Sequence, residues 1–87
     1  MNKVAVVIGG ASGIGLAVAE RLARQDCSIV ILDIDEAGGT RVAAGIQQRG
    51  NEATFIQLDV TREADVQRVF QKLISDRGRL DVLVNVA

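Results

Sequence analysis

The sequence predicts an α/β fold, a doubly wound parallel sheet with helices on both faces, with four strands and three helices in its 87 residues. Three observations predict it. Short β-branched runs alternate with helix-length stretches. The first two runs are continuously apolar, as in strands buried on both faces. A glycine-rich turn joins the first run to the first helical stretch.

Val4-Ala5-Val6-Val7-Ile8 is the first predicted strand. Ile14 to Gln25 follows as a helix, with Ile14, Val18, Leu22 and Ala23 on a 3.6-residue period. Asp26 stands where this helix ends and tolerates a left-handed conformation better than most residues. Cys27 opens the second strand and reads as a buried small apolar residue rather than a reactive thiol. Ile29-Val30-Ile31-Leu32 is that strand's core. Ala37 to Arg49 reads as a poorer helix, because Gly38, Gly39 and Gly45 each cost about 1 kcal/mol relative to Ala. Gly50 suits its C-terminal cap. Thr54 to Leu58 is a third, weaker strand. Arg62 to Arg77 is the strongest helix, with Thr61 as its N-cap, a stripe of Val66, Val69, Phe70, Leu73 and Ile74, and Gly78 as its end. Val82-Leu83-Val84 is the fourth strand.

Strands and helices in this alternation imply right-handed crossovers. The expected strand order is 3-2-1-4, with the first two helices on one face and the third on the other. Val82 to Val84 then forms an open apolar edge, which invites pairing with a second copy or a complementary chain.

Composition excludes several classes of function. Hydrophobic residues are 48 % and charged residues 24 %, ordinary for a folded domain. The net charge of −1 leaves no basic surplus for nucleic acid or an anionic membrane. One cysteine permits no internal disulfide, and with no histidine the usual zinc ligands are missing. No His and no Tyr also means that the commonest acid–base side chain is absent. The uncharged stretch Val4 to Ala19 follows Lys3 as a secretory leader would, but four glycines split it. No run reaches the roughly 18 apolar residues of a membrane span. A cytoplasmic location is expected.

The turn after the first strand reads Gly9-Gly10-Ala11-Ser12-Gly13-Ile14-Gly15. Glycine permits a tight turn and close backbone approach to a ligand. Unpaired N–H groups and the helix dipole favour a phosphate there. A P-loop is rejected, since Leu16-Ala17 follows where Lys-Ser/Thr is needed. The G-x-G-x-x-G spacing fails at Val18. The spacing that fits is Gly9-x-x-x-Gly13-x-Gly15. Asp33 follows the second strand, near the offset at which an acid accepts from a dinucleotide's ribose hydroxyls. It would repel a 2′-phosphate, and neither Ser12 nor Ile34 is basic, so NAD is favoured over NADP. The alternative is that Asp33 or Asp35 merely begins the next helix.

Together these residues resemble the short-chain dehydrogenase/reductase family, whose fold is Rossmann-type. Gly9, Gly13 and Gly15 match its Thr-Gly-x-x-x-Gly-x-Gly loop, with Ile8 in place of the Thr and one bracing hydrogen bond expected lost. A Gly is usual at Asp26 in relatives. Leu58-Asp59-Val60 matches the segment after the third strand, and the resemblance implies that Asp59 accepts from the adenine amino group while Val60 packs on the ring. Asp59 alternatively serves as a polar residue ahead of the helix cap. Asp81 to Ala87 matches the fourth strand and the Asn-Asn-Ala-Gly segment, with Val86 replacing the second Asn. The resemblance implies cofactor contacts at Gly9, Ser12, Gly13, Ile14, Gly15, Asp33, Ile34, Asp59, Val60, Asn85 and Ala87, a structural role being equally open for Asn85.

The match covers all 87 residues but about the first third of a full-length member. The family's catalytic Ser, Tyr-x-x-x-Lys and further Asn therefore have no counterpart here, and the chain alone is expected to bind NAD without turnover. The complete protein would transfer hydride between a small secondary alcohol and a ketone, commonly as a homo-oligomer. Two other readings are a non-catalytic nucleotide-binding module and a methyltransferase using S-adenosylmethionine. The second lacks a pyrophosphate for the glycine loop to hold.

Overall fold

The computed structural model describes residues 3–11 and 13–86. Its elements run β1 (Val4–Ile8), α1 (Gly13–Arg24), β2 (Ser28–Asp33), α2 (Glu36–Gln48), β3 (Ala53–Gln57), α3 (Glu63–Arg77) and β4 (Val82–Asn85). The sheet order is β3-β2-β1-β4, and every pairing is parallel. Val6 lies opposite Val30 on one side and Leu83 on the other. The expected order and helix placement are both observed.

Strand side chains alternate between faces, so β1 and β2 each feed two cores. Ala5, Val7, Ile29 and Ile31 pack against Ala19 and Ala23 of α1 and Ala43 and Ile46 of α2. Val4, Val6, Ile8, Val30 and Leu32 pack with Leu58 and with Leu73 of α3. Val6, Val7, Ile29, Val30, Ile31 and Leu32 are fully buried. Each contributes about 1.5–3 kcal/mol of burial, against a whole-domain stability of about 5–15 kcal/mol, so neither helical layer is dispensable.

Two helix faces differ from expectation. The buried face of α1 is Gly15, Ala19 and Ala23, while Ile14 is 74 % exposed. Small residues at i, i+4 and i+8 let α1 lie close to the sheet, and Ile14 projects from the first turn. In α3, Val66, Val69, Phe70 and Leu73 face the core but Ile74 is 52 % exposed. One helix covers this face alone, and Ile74 is rotated about 100° past Leu73.

Helix ends follow local backbone chemistry. Asp26 has φ 63°, the left-handed conformation anticipated for it, and Gly50 and Gly78 have φ 89° and 74°. Cys27 is buried, as expected. Asp35 caps α2, its carboxylate accepting from the Gly38 N–H at 3.0 Å. The cap of α3 corrects the sequence reading: it is Arg62, without a side-chain cap bond. Thr61 instead turns back toward Asp59.

The glycines of α2 have a packing reason that propensity hides. A Cβ on Gly39 would overlap the Phe55 ring, and one on Gly38 would overlap the Asp35 carboxylate. A Cβ on Gly45 would meet nothing within 4 Å.

Asp81 joins the starts of β1 and β4. Its Oδ2 accepts from the Val4 N–H at 2.8 Å, and Arg79 binds both carboxylate oxygens, each at 2.8 Å. The Arg79 hydrogen bonds, then that of Val4, hold the Asp81 carboxyl down at about 2. Among the described residues β4 pairs with β1 alone, at the end of the sheet, with Leu83 54 % exposed. Among the described residues no helix is long and apolar enough to cross a membrane.

Two substitutions in α2 should move stability in opposite directions: Gly39→Ala should lower it by about 1–3 kcal/mol through overpacking, and Gly45→Ala should raise it by about 0.5–1 kcal/mol. Urea denaturation of both variants checks this, and a Gly39→Ala protein as stable as the parent would refute the packing assignment. Because the Asp81 pKa is depressed on folding, its stabilisation is fully present above the ordinary carboxylate range and is lost as pH falls from about 4 toward about 2. Asp81→Asn should therefore weaken the protein at pH 7 and flatten this part of the acid denaturation profile.

Candidate functional site

The site begins where β1 ends. Gly9 and Gly13 have φ 85° and 60°, which L side chains rarely adopt. The Gly9 N–H donates to the Leu32 carbonyl at 2.7 Å, tying the loop to β2. A Cβ on Gly15 would overlap the Gly9 carbonyl, so the first turn of α1 rests directly on the loop. One on Gly10 would lie 3.0 Å from Ile31 Cγ2. The first turn of α1 carries no acidic residue, so no side chain there opposes an anion at its unpaired N–H groups.

Asp33, at the end of β2, reaches across to this loop. Its Oδ2 accepts from the Ala11 N–H at 3.1 Å and its Oδ1 from the Asp35 N–H at 3.0 Å. The carboxylate is thus a strut between the glycine loop and the β2–α2 turn. Ile8, in place of a hydroxyl residue, is 7 % exposed and its side chain braces nothing by hydrogen bonding; the brace comes from the neighbouring strand.

The carboxyl ends of β1, β2 and β3 enclose a cleft of about 110 Å³. Ile8, Leu32 and Leu58 supply its buried apolar lining. Ile34 and Val60, 61 % and 45 % exposed, add apolar rims, while Gly9, Asp33 and Asp59 supply polar atoms. Exposed aliphatic side chains beside two carboxylates suit a flat apolar ligand with hydrogen-bond donors on its edge. Asp59 Oδ1 accepts from both the Thr61 N–H at 3.0 Å and the Thr61 hydroxyl at 2.7 Å. The Thr61 hydroxyl, and then its N–H, hold the Asp59 carboxyl below the usual carboxylate range.

Five of the sequence-predicted residues, Gly9, Asp33, Ile34, Asp59 and Val60, therefore line one cleft. Gly13, Ile14 and Gly15 open α1, and Gly15 lies against Gly9 of the lining. Asn85 pairs with Ile8 in the β1–β4 register, outside the cleft lining. Ser12 and Ala87 lie outside the described residues. Sequence reasoning missed the Ala11 N–H as the partner of Asp33 and Thr61 as the partner of Asp59. The spacing Asp59-Val60-Thr61 was the available signal, since an Asp two residues before a Thr can close a side-chain turn. No group of three His, Cys, Asp or Glu able to hold a metal occurs among the described residues.

The fold agrees with what known proteins show. The sequence profile of the short chain dehydrogenase family matches residues 3–87. The chain belongs to the short-chain dehydrogenase family. It is 48 % identical over 84 residues to human 3-hydroxyacyl-CoA dehydrogenase type-2, covering 97 % of this chain and 31 % of that protein. The Drosophila melanogaster protein of the same name is 43 % identical over 86 residues, covering 99 % of this chain and 32 % of that one. The crystal structure of a hydroxysteroid dehydrogenase from Escherichia coli superposes with a TM-score of 0.89 at 34 % identity, covering 95 % of this chain and 35 % of that one. This short-chain dehydrogenase sequence thus spans about a third of the length of the curated relatives it matches.

If Asp33 is the strut of the loop, Asp33→Ala should accelerate hydrogen exchange of the Ala11 and Asp35 amides by about ten-fold or more, since hydrogen bonds to a charged acceptor contribute about 1.5–3 kcal/mol. Amide exchange read by nuclear magnetic resonance checks this without any ligand.

Proposed function

We propose that these residues form the adenosine and pyrophosphate end of a nicotinamide-dinucleotide site in an oxidoreductase, and that the dinucleotide is NAD. The observation that carries the reading is the cleft itself. Its lining holds two carboxylates, Asp33 and Asp59, and no cationic side chain, and it opens beside the glycine loop and the start of α1.

The residues fit the group. The positive φ of Gly9 and the missing Cβ of Gly15 leave a backbone cradle, and the N–H groups at the start of α1 suit the pyrophosphate. Asp33 is already held by two N–H groups, and its remaining lone pairs accept the ribose hydroxyls. A 2′-phosphate would bring a second anion against this carboxylate with no cation in the lining to offset it. Asp59 accepts from the adenine amino group, and Val60 and Ile34 flank the ring. Gly13 and Ile14 border the pyrophosphate, and Asn85 the adenosine. When bound, the dinucleotide supplies the hydride chemistry, here between a secondary alcohol and a ketone. The protein's part in these residues is to bind and orient it.

The names of two relatives, hydroxyacyl-CoA and hydroxysteroid dehydrogenase, support alcohol oxidation as the reaction class. The position of β4 at the end of the sheet supports pairing with a further strand.

Calorimetric titration with NAD, NADP and S-adenosylmethionine tests the proposal. NAD should bind at least about ten-fold more tightly than NADP, a difference of about 1.4 kcal/mol. Tighter binding of S-adenosylmethionine, or equal binding of both dinucleotides, would sink it.

A further inference from the structure

Thr61 has two donors on one oxygen of Asp59. The hydroxyl reaches Oδ1 at 2.7 Å and the backbone N–H reaches the same atom at 3.0 Å. No hydrogen bond engages Oδ2 among the described residues, and Asp59 lines the cleft beside Leu58 and Val60. Thr61 does not cap α3, whose N-cap is Arg62. Its hydroxyl is therefore used on Asp59 rather than on the helix.

We propose that Thr61 is a positioning residue for base recognition: it pins one oxygen of Asp59 so that the other is presented to the base in the cleft. This rests on the reading of Asp59 as the acceptor of the adenine amino group. A carboxylate has two equivalent oxygens, and rotation about its last bond exchanges them. Two donors converging on Oδ1 remove that freedom and fill its lone pairs. The remaining oxygen is then a fixed acceptor. It attracts an amino group on the base edge and repels a carbonyl oxygen at the same place. The depressed Asp59 pKa agrees with this, since the group stays an acceptor throughout the neutral range.

The pinning has a consequence that a merely structural Thr61 would not produce. In Asp59→Asn the two Thr61 donors require an oxygen at the Oδ1 position. The amide nitrogen must then occupy the Oδ2 position and present a donor to the base. The preference should invert, from the amino group of adenine to the carbonyl of hypoxanthine. Without the Thr61 hydroxyl only the Thr61 backbone N–H still favours an oxygen there, so the amide is held less firmly and the inversion should weaken.

The test measures affinities of the purified protein for nicotinamide adenine dinucleotide and nicotinamide hypoxanthine dinucleotide. Five proteins are compared: the parent, Thr61→Val, Thr61→Ser, Asp59→Asn and the Asp59→Asn/Thr61→Val double variant. The expected results are an adenine preference in the parent, a loss of about five-fold of it in Thr61→Val, and its retention in Thr61→Ser, which keeps the hydroxyl. Asp59→Asn should favour hypoxanthine, and the double variant should discriminate weakly. An adenine preference abolished by Asp59→Asn but unchanged in Thr61→Val would overturn the positioning role and leave the adenine reading standing. No adenine preference in the parent, or one indifferent to Asp59→Asn, would overturn both. Thr61 is exposed, and circular dichroism of each variant separates misfolding from altered recognition.

Discussion

Strands β1 and β2 are dry on both faces, and most of this architecture answers that condition. Val6, Val7, Val30 and Ile31 have no solvent contact at all. A strand in that position needs a helical layer above and below it. Right-handed crossovers then send α1 and α2 to one side, and α3 to the other once β4 joins beyond β1. The chain leaves the carboxyl ends of β1 and β3 toward opposite faces, and the cleft opens between those departures. The binding geometry is thus a by-product of how two apolar strands are covered.

Close approach tunes this frame. Gly15 lets α1 rest on the Gly9 carbonyl, and Gly39 lets α2 rest on the Phe55 ring. In each case an added methyl group would separate a helix from what it covers. Carboxylates provide the complementary ties. Asp81 joins the starts of β1 and β4, Asp33 joins the glycine loop to the β2–α2 turn, and Asp35 caps α2. Each accepts backbone N–H groups that strand or helix geometry leaves unpaired. Of the two acids that line the cleft, Asp33 therefore has a structural duty as well as a disposition toward a ligand.

Much of the site is legible in the order of residues alone. The spacing of Gly9, Gly13 and Gly15 marks the loop, and the offset to Asp33 marks the cleft wall. Asp59 and Val60 are legible through family resemblance more than through chemistry, because an acid ahead of a helix is ordinary. Thr61 escapes the sequence pattern for a related reason: Thr before an acidic helical turn is a good cap, yet the Asp59 carboxylate competes for its hydroxyl and wins. Ile14 and Ile74 escape it because periodicity assigns a face but not its width. Gly38 and Gly39 look like weaknesses because propensity knows nothing of the ring and carboxylate that lie against them.

By itself the sequence determined the order of elements, the parallel sheet, its strand order and the family of the chain. These follow from local patterns: β-branched runs, helical periods and glycines where φ must be positive. Only the tertiary structure decided which distant donors meet Asp33 and Asp81, which helix face is narrow, and which glycines make room for a neighbour. Those outcomes depend on atoms 22 residues apart, as between Ala11 and Asp33, or 77 apart, as between Val4 and Asp81. Contacts of that kind exist only after the chain has folded, so no local pattern encodes them.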